Sequence, residues 1–484
     1  MGTHVYSKLK LPRLGPVLLG TIARDLGWNI RVYVEDIGRI DYEDALTADL
    51  VGISTITSTA NRAYAMAEAI REYGVPVVMG GPHVTFLADE ALQHCDYVVR
   101  GEGEEALPLL MQAIREKSDL SQIPNLSYRD ENGEIRNNPQ TSTINDLDSL
   151  PYPDFNLIVG WKKTKSFHSA PIYPVLTSRG CPYGCKFCSV IGMFGRKMRF
   201  RSVENVIGEI EQNCDSKSHI FFYDDNFTAN KKRAKQLLRE GLLDQNRCAK
   251  WSTQVRIDAA EDDELMDLMK RTNCSIVYIG FESVNPAALL EMEKKQQVDE
   301  MIAGIKKFKQ FNIQIHGMFV LGFDSDDKAT TRETIRFAKD SGILSAQFLI
   351  LTPLPGTPLY DQLAQENRIA IRDWSHYDAH HVVHKPKNMS TFDLQFAQIK
   401  GHAMFYSRRR TLSKLLKGYV ADSAIYLYAR HANAQYKRAN RIYLKALRLT
   451  RRARDFTINF DFEFDLSEIK RQVRRAAGAL SLAR

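Results

Sequence analysis

Three of the seven cysteines in this 484-residue chain fall within eight positions. Cys181, Cys185 and Cys188 have the spacing C-x3-C-x2-C in the segment TSRGCPYGCKFCSV, and no fourth cysteine follows closely. Thiolates are soft ligands that select zinc, copper(I) or iron–sulfur clusters. Structural zinc sites use four protein ligands, whereas a four-iron cluster held by three cysteines leaves one iron open. The spacing therefore favours a cluster with an open coordination position.

The cysteines follow the first of six strand-like runs between residues 174 and 360. Amphipathic helical patterns separate these runs, which favours βα units and a parallel sheet. Six such units predict a partial (β/α)6 barrel whose site lies at the carboxyl ends of its strands. The runs are YPVLTS, HIFFYDD, KWSTQVRI, SIVYIGFES, IQIHGMFVLG and SAQFLILTP.

A second alternation of strands and helices lies between residues 30 and 115 and predicts a doubly wound α/β sheet. Its strand-like runs are IRVYVED, LVGISTIT, VPVVMGG and YVVRGEG. Such a domain normally opens with a strand before its first helix, so either HVYSKLKL is that strand or the strand is absent. NLSYRDENGEIRNN then predicts a hairpin with an Asn-Gly turn. The expected divisions are a doubly wound domain at 1–120, a hairpin and linker at 121–165, the barrel at 166–385 and a helical basic domain at 386–484.

The net charge of +8 is concentrated in the C-terminal region. From Lys385 onward, 22 Lys and Arg stand against 7 Asp and Glu, so the preceding part is mildly acidic. No apolar run approaches the roughly 20 residues of a membrane span, and no signal peptide is visible. We therefore expect a cytoplasmic protein, in which a disulfide framework is not expected. No nucleic-acid-binding motif is visible either.

The cysteine motif after the first strand, with Phe187 just before the last cysteine, resembles the radical S-adenosylmethionine (SAM) superfamily. The resemblance implies a catalytic 4Fe-4S cluster on Cys181, Cys185 and Cys188, whose open iron chelates SAM. It also implies an electron donor such as ferredoxin or flavodoxin. Reductive cleavage of SAM would give a 5′-deoxyadenosyl radical that abstracts hydrogen from an unactivated carbon.

Further SAM-binding candidates lie at the ends of the other barrel strands. FYDDNF stands where the superfamily binds the SAM amino group, and acceptor side chains there suit an ammonium. Arg256 can pair with the SAM carboxylate. The glycines of the fifth strand would let adenine approach the backbone. The candidates are Asp224, Asp225, Asn226, Gln254, Arg256, Glu282, Gly317 and Gly322.

The N-terminal domain resembles the cobalamin-binding domain that precedes many radical SAM barrels. The resemblance implies that hydroxyl side chains line the loop for the nucleotide tail and that glycines admit the corrin or the tail. Glu102 and Glu104 either serve the same loop or cap the following helix. The candidates are Ser54, Thr55, Thr57, Ser58, Gly80, Gly81, His83, Gly101 and Glu102.

The sequence departs from many cobalamin domains because it has no Asp-x-His-x-x-Gly motif, whose histidine ligates cobalt from below. His83, in GGPHVT, is the available substitute, but a loop hydrogen bond is the simpler role for it. We therefore expect bound cobalamin to have no lower histidine ligand.

The C-terminal segment HHVVHKPKNMSTFDL resembles a domain of bacterial hopanoid methylases. Basic residues recur at helical spacing between Arg430 and Arg452, beside an aromatic stripe. One interpretation is a helix packed on the barrel with a solvated basic face. The other is contact with an anionic membrane surface, which would suit a lipid-like substrate.

Three functions remain open at this point. The leading hypothesis is a cobalamin-dependent radical SAM methyltransferase acting on a small or lipid-like substrate. The second is a non-methylating oxidoreductase or cyclase similar to the anaerobic bacteriochlorophyll ring cyclase. The third is a non-catalytic cobalamin-binding or redox-sensing protein, against which the cluster motif argues.

Overall fold

A computed structural model of the protein describes residues 11–141, 143–161, 172–245, 247–294, 296–453, 456–458 and 466–482. Within these ranges the strands form two main sheets and a two-stranded ribbon. The strands are β1 Val51–Ser54, β2 Val77–Gly80, β3 Tyr97–Val99, β4 Leu126–Arg129, β5 Ile135–Asn137, β6 Ile172–Val175, β7 Ser178–Arg179, β8 Arg199–Phe200, β9 His219–Phe222, β10 Lys250–Val255, β11 Cys274–Glu282, β12 Gln314–Leu321 and β13 Ser345–Ile350.

The α-helices surround both sheets and continue into the C-terminal region. They are α1 Leu14–Asp25, α2 Tyr42–Leu46, α3 Ala60–Arg71, α4 Pro82–Phe86, α5 Ala88–Ala91, α6 Ala106–Glu116, α7 Val190–Phe194, α8 Val203–Asn213, α9 Lys231–Leu237, α10 Asp263–Arg271, α11 Pro286–Glu291, α12 Val298–Gln310, α13 Lys328–Asp340, α14 Pro358–Gln365, α15 Thr391–Phe405, α16 Arg408–Leu416, α17 Val420–Ala439, α18 Arg441–Leu449 and α19 Leu466–Leu482.

The first sheet has the strand order β1-β2-β3-β4-β5. Its first three strands are parallel, and the hairpin β4–β5 is added antiparallel to β3. Alternate residues of β2 face opposite sides, so Val77 packs with α3 while Val78 packs with α6. Helices thus cover both faces, which confirms the doubly wound prediction, and the predicted hairpin extends this sheet.

The prediction of a strand at IRVYVED is wrong. Only Val32 makes a ladder contact, an isolated parallel bridge to Ile158. The segment instead packs its apolar side chains against α1 and a turn near Phe155, so its neighbour among the described residues is a turn. The proposed opening strand HVYSKLKL, residues 4–11, lies outside the described residues except for its last residue, Leu11.

The second sheet contains six parallel strands in the order β13-β12-β11-β10-β9-β6. Each strand matches one of the six predicted runs, so the partial (β/α)6 barrel is confirmed. The largest apolar core of the described residues lies between this sheet and its helices. Parallel strands place all their carboxyl ends on one rim, and the cysteine loop follows β6 at that rim.

Helix α15 covers the open edge of the barrel at β13. Gln398, His402 and Tyr406 are spaced by four residues, so they share one helical face. The Tyr406 hydroxyl accepts from Ala346 N (2.9 Å) and donates to Ala346 O (2.7 Å). His402 Nε2 accepts from Phe348 N (3.3 Å), and Gln398 donates to Phe348 O (3.2 Å). These side chains replace the missing neighbouring strand, whose absence would leave a reactive edge.

We expect Tyr406→Phe to lower the free energy of unfolding by about 1–3 kcal/mol. The variant leaves a buried N–H and a buried carbonyl of the edge strand without their partner. Urea unfolding measures the loss, and Tyr419→Phe is the matched control because that ring is 57% exposed. Equal unfolding midpoints for the two variants would contradict the edge-covering role.

The C-terminal region consists of several helices that pack on different partners. The basic segment does not form one continuous helix, because α17 ends before Asn440 and α18 begins after it. Tyr443 and Leu447 are buried, whereas Arg441, Lys445 and Arg448 face solvent. The last helix, α19, packs on α2 and α3 of the first sheet through residues such as Val473. The helices after the proposed boundary at residue 386 therefore contact both earlier domains: α15 packs on the barrel, and α19 packs on the first sheet.

Candidate functional site

The short antiparallel ribbon β7–β8 joins the two ends of the cysteine loop. In its backbone register Arg179 lies opposite Arg199. Gly180 has φ +92°, and a Cβ there would lie 2.7 Å from the carbonyl oxygen of Lys197. Only glycine permits this close approach in this conformation. The loop conformation directly before Cys181 is thus fixed by backbone packing.

All three cysteines of the loop are free and half-buried. Burial raises the pKa of each thiol, and that of Cys188 to about 12. A bound metal would favour the thiolate form of each cysteine. Among the described residues, no three His, Cys, Asp or Glu side chains converge to hold a single metal ion. A four-iron cluster does not need such convergence, because each cysteine binds a different iron, so the loop fits that group.

Asp224 lies beneath the cysteine loop and is fully buried. Its carboxylate accepts hydrogen bonds from Thr177 N (2.6 Å), Thr177 Oγ1 (2.6 Å), Ser178 N (3.3 Å) and Ser178 Oγ (2.8 Å). Burial raises its pKa, although these bonds favour the charged form. Both oxygens are already engaged, so we infer that Asp224 anchors the start of the loop and does not contact SAM.

Asp225, the next residue, has a solvent-accessible side chain beside the thiols of Cys181 and Cys188. Protein nevertheless surrounds much of it, and this burial raises the pKa of its carboxyl to about 6. Asn226 is buried and accepts from Thr228 Oγ1 (3.2 Å). Of the three predicted residues, Asp225 is therefore the one placed to meet a ligand at the cysteines.

Two cationic side chains lie near the thiols, Arg256 just after β10 and Lys294 between α11 and α12. The Arg256 guanidinium lies 4.0 Å from the centroid of the Tyr183 ring, inside the cysteine loop. Lys294 Nζ lies 2.8 Å from Glu282 Oε1 and donates to Gly280 O at 2.5 Å. Burial raises the pKa of Cys185, and the charge of Glu282 acts in the same direction, whereas both cations favour the thiolate. Glu282, a predicted SAM ligand, is engaged by Lys294.

The other barrel candidates are packed within the protein. A Cβ on Gly317 would lie 2.7 Å from Ile343 Cδ1, and one on Gly322 would lie 2.7 Å from Leu394 Cδ2. Protein side chains thus fill the space on that side of both glycines, where we had expected adenine. Gln254 donates weakly to Asp224 O (3.5 Å). Phe187 packs against the barrel core and meets the Phe323 ring at 6.4 Å.

The predicted cobalamin-binding residues gather at the carboxyl edge of the first sheet. Gly81 has φ +98°, and a Cβ there would lie 2.5 Å from Thr55 O, so β1 and β2 end in close contact. Thr55 and Thr57 are buried, whereas Ser54 is exposed and Ser58 is half-buried. Ser54 and Ser58 are therefore the hydroxyls open to a ligand. The remaining glycines of the set, Gly80 and Gly101, end β2 and follow β3.

Glu102 and Glu104 form buried ion pairs with Arg179 and Arg199, the two arginines of the ribbon β7–β8. Glu102 accepts from both terminal nitrogens of Arg199, at 2.8 and 2.6 Å, and from Ile144 N at 2.8 Å. Arg179 lies 3.3 Å from Glu102 and 2.5 Å from Glu104. We call these four charged side chains the interdomain network. Glu102 thus links the two domains. Both of its carboxylate oxygens already accept hydrogen bonds from the protein.

Phe86 makes a second contact between the domains. A Cβ on Gly192 would lie 2.8 Å from Phe86 Cζ, and one on Gly356 would also collide with this ring. The ring therefore lies between Gly192 of α7 and Gly356 of the loop after β13, and a larger residue at either position would collide with it. The sequence analysis did not identify Phe86, Arg179 or Arg199 as site residues. For the two arginines, the available signal was the opposite charge of the GEGEE segment and of the TSRGC and MRFRS segments.

His83 is fully buried beneath the edge of the first sheet. Its Nε2 lies 3.0 Å from the Tyr64 hydroxyl, and its ring meets Trp374 edge-on at 5.1 Å. The Trp374 indole donates to Glu90 at 2.8 Å. Nδ1 has no hydrogen-bond partner within the described residues. His83 thus contacts the segment that follows α14 and joins it to the first domain.

Two family models match the chain: the B12 binding domain over residues 5–111 and the Radical SAM superfamily over residues 175–338. An uncharacterized methyltransferase, PH0819, of Pyrococcus horikoshii is 35% identical over 377 residues, covering 76% of this chain and 80% of that protein. The chain belongs to the cobalamin-binding radical SAM superfamily. It is a radical SAM enzyme with a B12-binding domain.

Other members of this superfamily extend the comparison. Bacteriochlorophyllide d C-12(1)-methyltransferase of Chlorobaculum tepidum is 28% identical over 384 residues, with 78% of each chain covered. The anaerobic magnesium-protoporphyrin IX monomethyl ester cyclase of Cereibacter sphaeroides is 29% identical over 353 residues, covering 69% of this chain and 55% of that one. The structure of the radical SAM enzyme OxsB with aqua-cobalamin has the same fold, with a TM-score of 0.65, 14% identity, and 99% and 80% of the chains covered.

We predict that cobalamin bound to this radical SAM enzyme has no histidine below cobalt. His83 is the only histidine among the predicted cobalamin-binding residues, and its ring is enclosed by Tyr64 and Trp374. The paramagnetic resonance spectrum of the reduced cofactor should therefore lack nitrogen superhyperfine splitting in both wild type and His83→Gln. Splitting that disappears in His83→Gln would refute the prediction.

Proposed function

We propose that this protein is a cobalamin-dependent methyltransferase that methylates an unactivated carbon of a small or lipid-like substrate. One observation carries the proposal. The cysteine loop is held by Asp224 of the barrel on one side and by Glu102 and Glu104 of the B12-binding domain on the other. These contacts would keep a cluster on the cysteines next to the B12-binding domain, as transfer of a methyl group from cobalamin to a substrate radical made at the cluster would require.

The residues present fit the three cofactors. Cys181, Cys185 and Cys188 would hold a 4Fe-4S cluster, and Asp225 would accept hydrogen bonds from the SAM ammonium. Arg256 would pair with the SAM carboxylate, while Ser54 and Ser58 would contact cobalamin. When bound, the cluster with SAM supplies a radical for hydrogen abstraction, and cobalamin supplies a methyl group. The protein's part is to orient these groups and to keep water from them.

The cyclase alternative also finds support, because a named cyclase matches this chain at 29% identity, close to the 28% of a named methyltransferase, although it aligns over less of each chain. Both activities need hydrogen abstraction and share this domain order, so the site residues do not separate them. The product mass does. A methylated product gains one methylene, whereas an oxidised or cyclised product does not.

The test compares extracts of cells with and without the protein by mass spectrometry, after feeding methionine labelled with deuterium in its methyl group. We expect a new compound carrying a labelled methyl group, absent when the cells produce Cys185→Ala. New products without the label would favour the cyclase. If the reconstituted protein did not cleave SAM at all, the non-catalytic alternative would stand.

Two finer statements accompany this proposal. A reductant such as ferredoxin or flavodoxin would deliver the electron that cleaves SAM. A lipid-like substrate would suit contact between the basic C-terminal region and an anionic membrane. Within the described residues, none of the helices has both the length and the apolar character needed to cross a bilayer.

A further inference from the structure

The turn that joins α16 to α17 exposes a group of large apolar side chains. Leu412, Leu415, Leu416, Tyr419 and Val420 have exposed fractions of 56%, 50%, 79%, 57% and 65%. We call these five residues the hairpin tip. Single exposed apolar residues are ordinary on protein surfaces, but a contiguous group marks an interaction site. Leu427, one further apolar residue on α17, is 59% exposed and lies seven positions after Val420, on the same helical face.

The hairpin tip stands on a well-packed base. Thr411, Ser423 and Tyr426 are buried where α16 meets α17, and Tyr426 packs against Phe405. Lys414 on α16 pairs with Asp422 on α17 at 2.7 Å. The scaffold therefore presents the apolar side chains in a fixed arrangement, and their exposure is not the fraying of a helix end.

The charge around the hairpin tip has one sign. Between Asp393 and Asp455 the sequence has 15 Lys and Arg and a single acidic residue, Asp422. Lys414 neutralises this carboxylate, whereas Arg408, Arg409 and Lys417 are exposed near the tip. An apolar surface rimmed by cations is complementary to an anionic bilayer, whose phosphates lie above its acyl chains. A second copy of the chain would bring the same positive charge and be repelled.

We propose that the hairpin tip docks on the surface of an anionic lipid bilayer. Its five apolar side chains enter the boundary between headgroups and acyl chains, and Arg408, Arg409 and Lys417 contact lipid phosphates. This contact does not depend on the substrate of the enzyme. It also differs from the basic stripe of α18, where the aromatic partner Tyr443 is buried in the protein.

Co-sedimentation of the full chain with vesicles tests the docking. Wild type should bind vesicles of phosphatidylcholine mixed with phosphatidylglycerol far better than phosphatidylcholine alone, and salt should weaken the binding. Leu416→Asn combined with Val420→Asn should lower the affinity about tenfold or more, because two apolar side chains no longer leave water. Arg409→Gln combined with Lys417→Gln should weaken binding and reduce its dependence on salt.

Leu290→Asn is the matched control, because this leucine on α11 of the barrel is 81% exposed and lies outside the proposed surface. It should bind anionic vesicles as wild type does. The proposal fails if wild type ignores both kinds of vesicle, or if the tip variant and Leu290→Asn bind equally well. A lipid-free dimer of wild type that the tip variant abolishes would also overturn it, by assigning the surface to contact between copies.

Discussion

Replacing any one of Cys181, Cys185 and Cys188 with alanine is expected to abolish the binding of a 4Fe-4S cluster. Three thiolates are the only protein ligands proposed for four irons, so each removal leaves one further iron without its protein anchor. Anaerobically reconstituted wild type should hold about four irons per chain, and each variant should hold close to none. Iron analysis and the visible absorption of the cluster measure the effect.

Cys248→Ala is the matched control for these variants. Cys248 is buried in the barrel core, away from the cysteine loop, and should retain the full iron content when replaced. Loss of iron in the control as well would show that any cysteine removal disturbs the fold. Retention of iron and of SAM cleavage in a variant with all three alanines would refute the assignment of the cluster.

Replacing Glu102 with glutamine should cost about 3–5 kcal/mol of the free energy of unfolding, because it leaves buried arginine charge without its counter-charge. Arg199 would lose its two-pronged carboxylate partner, and Arg179 would keep only Glu104. Urea unfolding measures the loss. Glu134→Gln serves as the control, since Glu134 forms a surface pair with Arg136 that contributes at most about 1 kcal/mol.

Glu102 should also affect how the stability of the protein depends on pH. Although burial opposes its charge, hydrogen bonds from Arg199 and the charge of Arg179 hold the pKa of Glu102 below its ordinary value. A carboxyl whose pKa is lowered by folding stabilises the protein above its unfolded pKa, and this stabilisation is lost as pH falls through the folded pKa. Wild type should thus lose stability below about pH 4.5 more steeply than Glu102→Gln. Parallel curves would contradict the network's role.

Local patterns in the sequence predicted most of the barrel but not its contacts. Each of the six strands is a short apolar run between helical patterns, so its position was readable without a partner. IRVYVED is also a short apolar run, yet among the described residues its one ladder contact is an isolated bridge from Val32 to Ile158. Strand formation there depends on a pairing partner, which composition does not report.

The site was predictable where its residues are adjacent in the sequence. The spacing of the three cysteines identified the loop, but Arg199 and Glu102 are 97 residues apart, so their pairing follows only from how the two domains pack. The roles of Asp224 and Asp225 could not be distinguished from the sequence either. Asp224 binds the start of the cysteine loop, whereas Asp225 is exposed and its charge acts on the thiols of Cys181 and Cys188.

The covering of β13 by α15 determines where the C-terminal region of this enzyme could be exchanged for another. Because Gln398, His402 and Tyr406 supply the hydrogen bonds of a missing strand, a barrel truncated before α15 would expose an edge ready to pair with other chains and aggregate. Recombination or engineering that exchanges the C-terminal region must therefore keep α15 with the barrel. A breakpoint placed after Tyr406, about one helix later than the change in composition, would keep this covering of the edge strand intact.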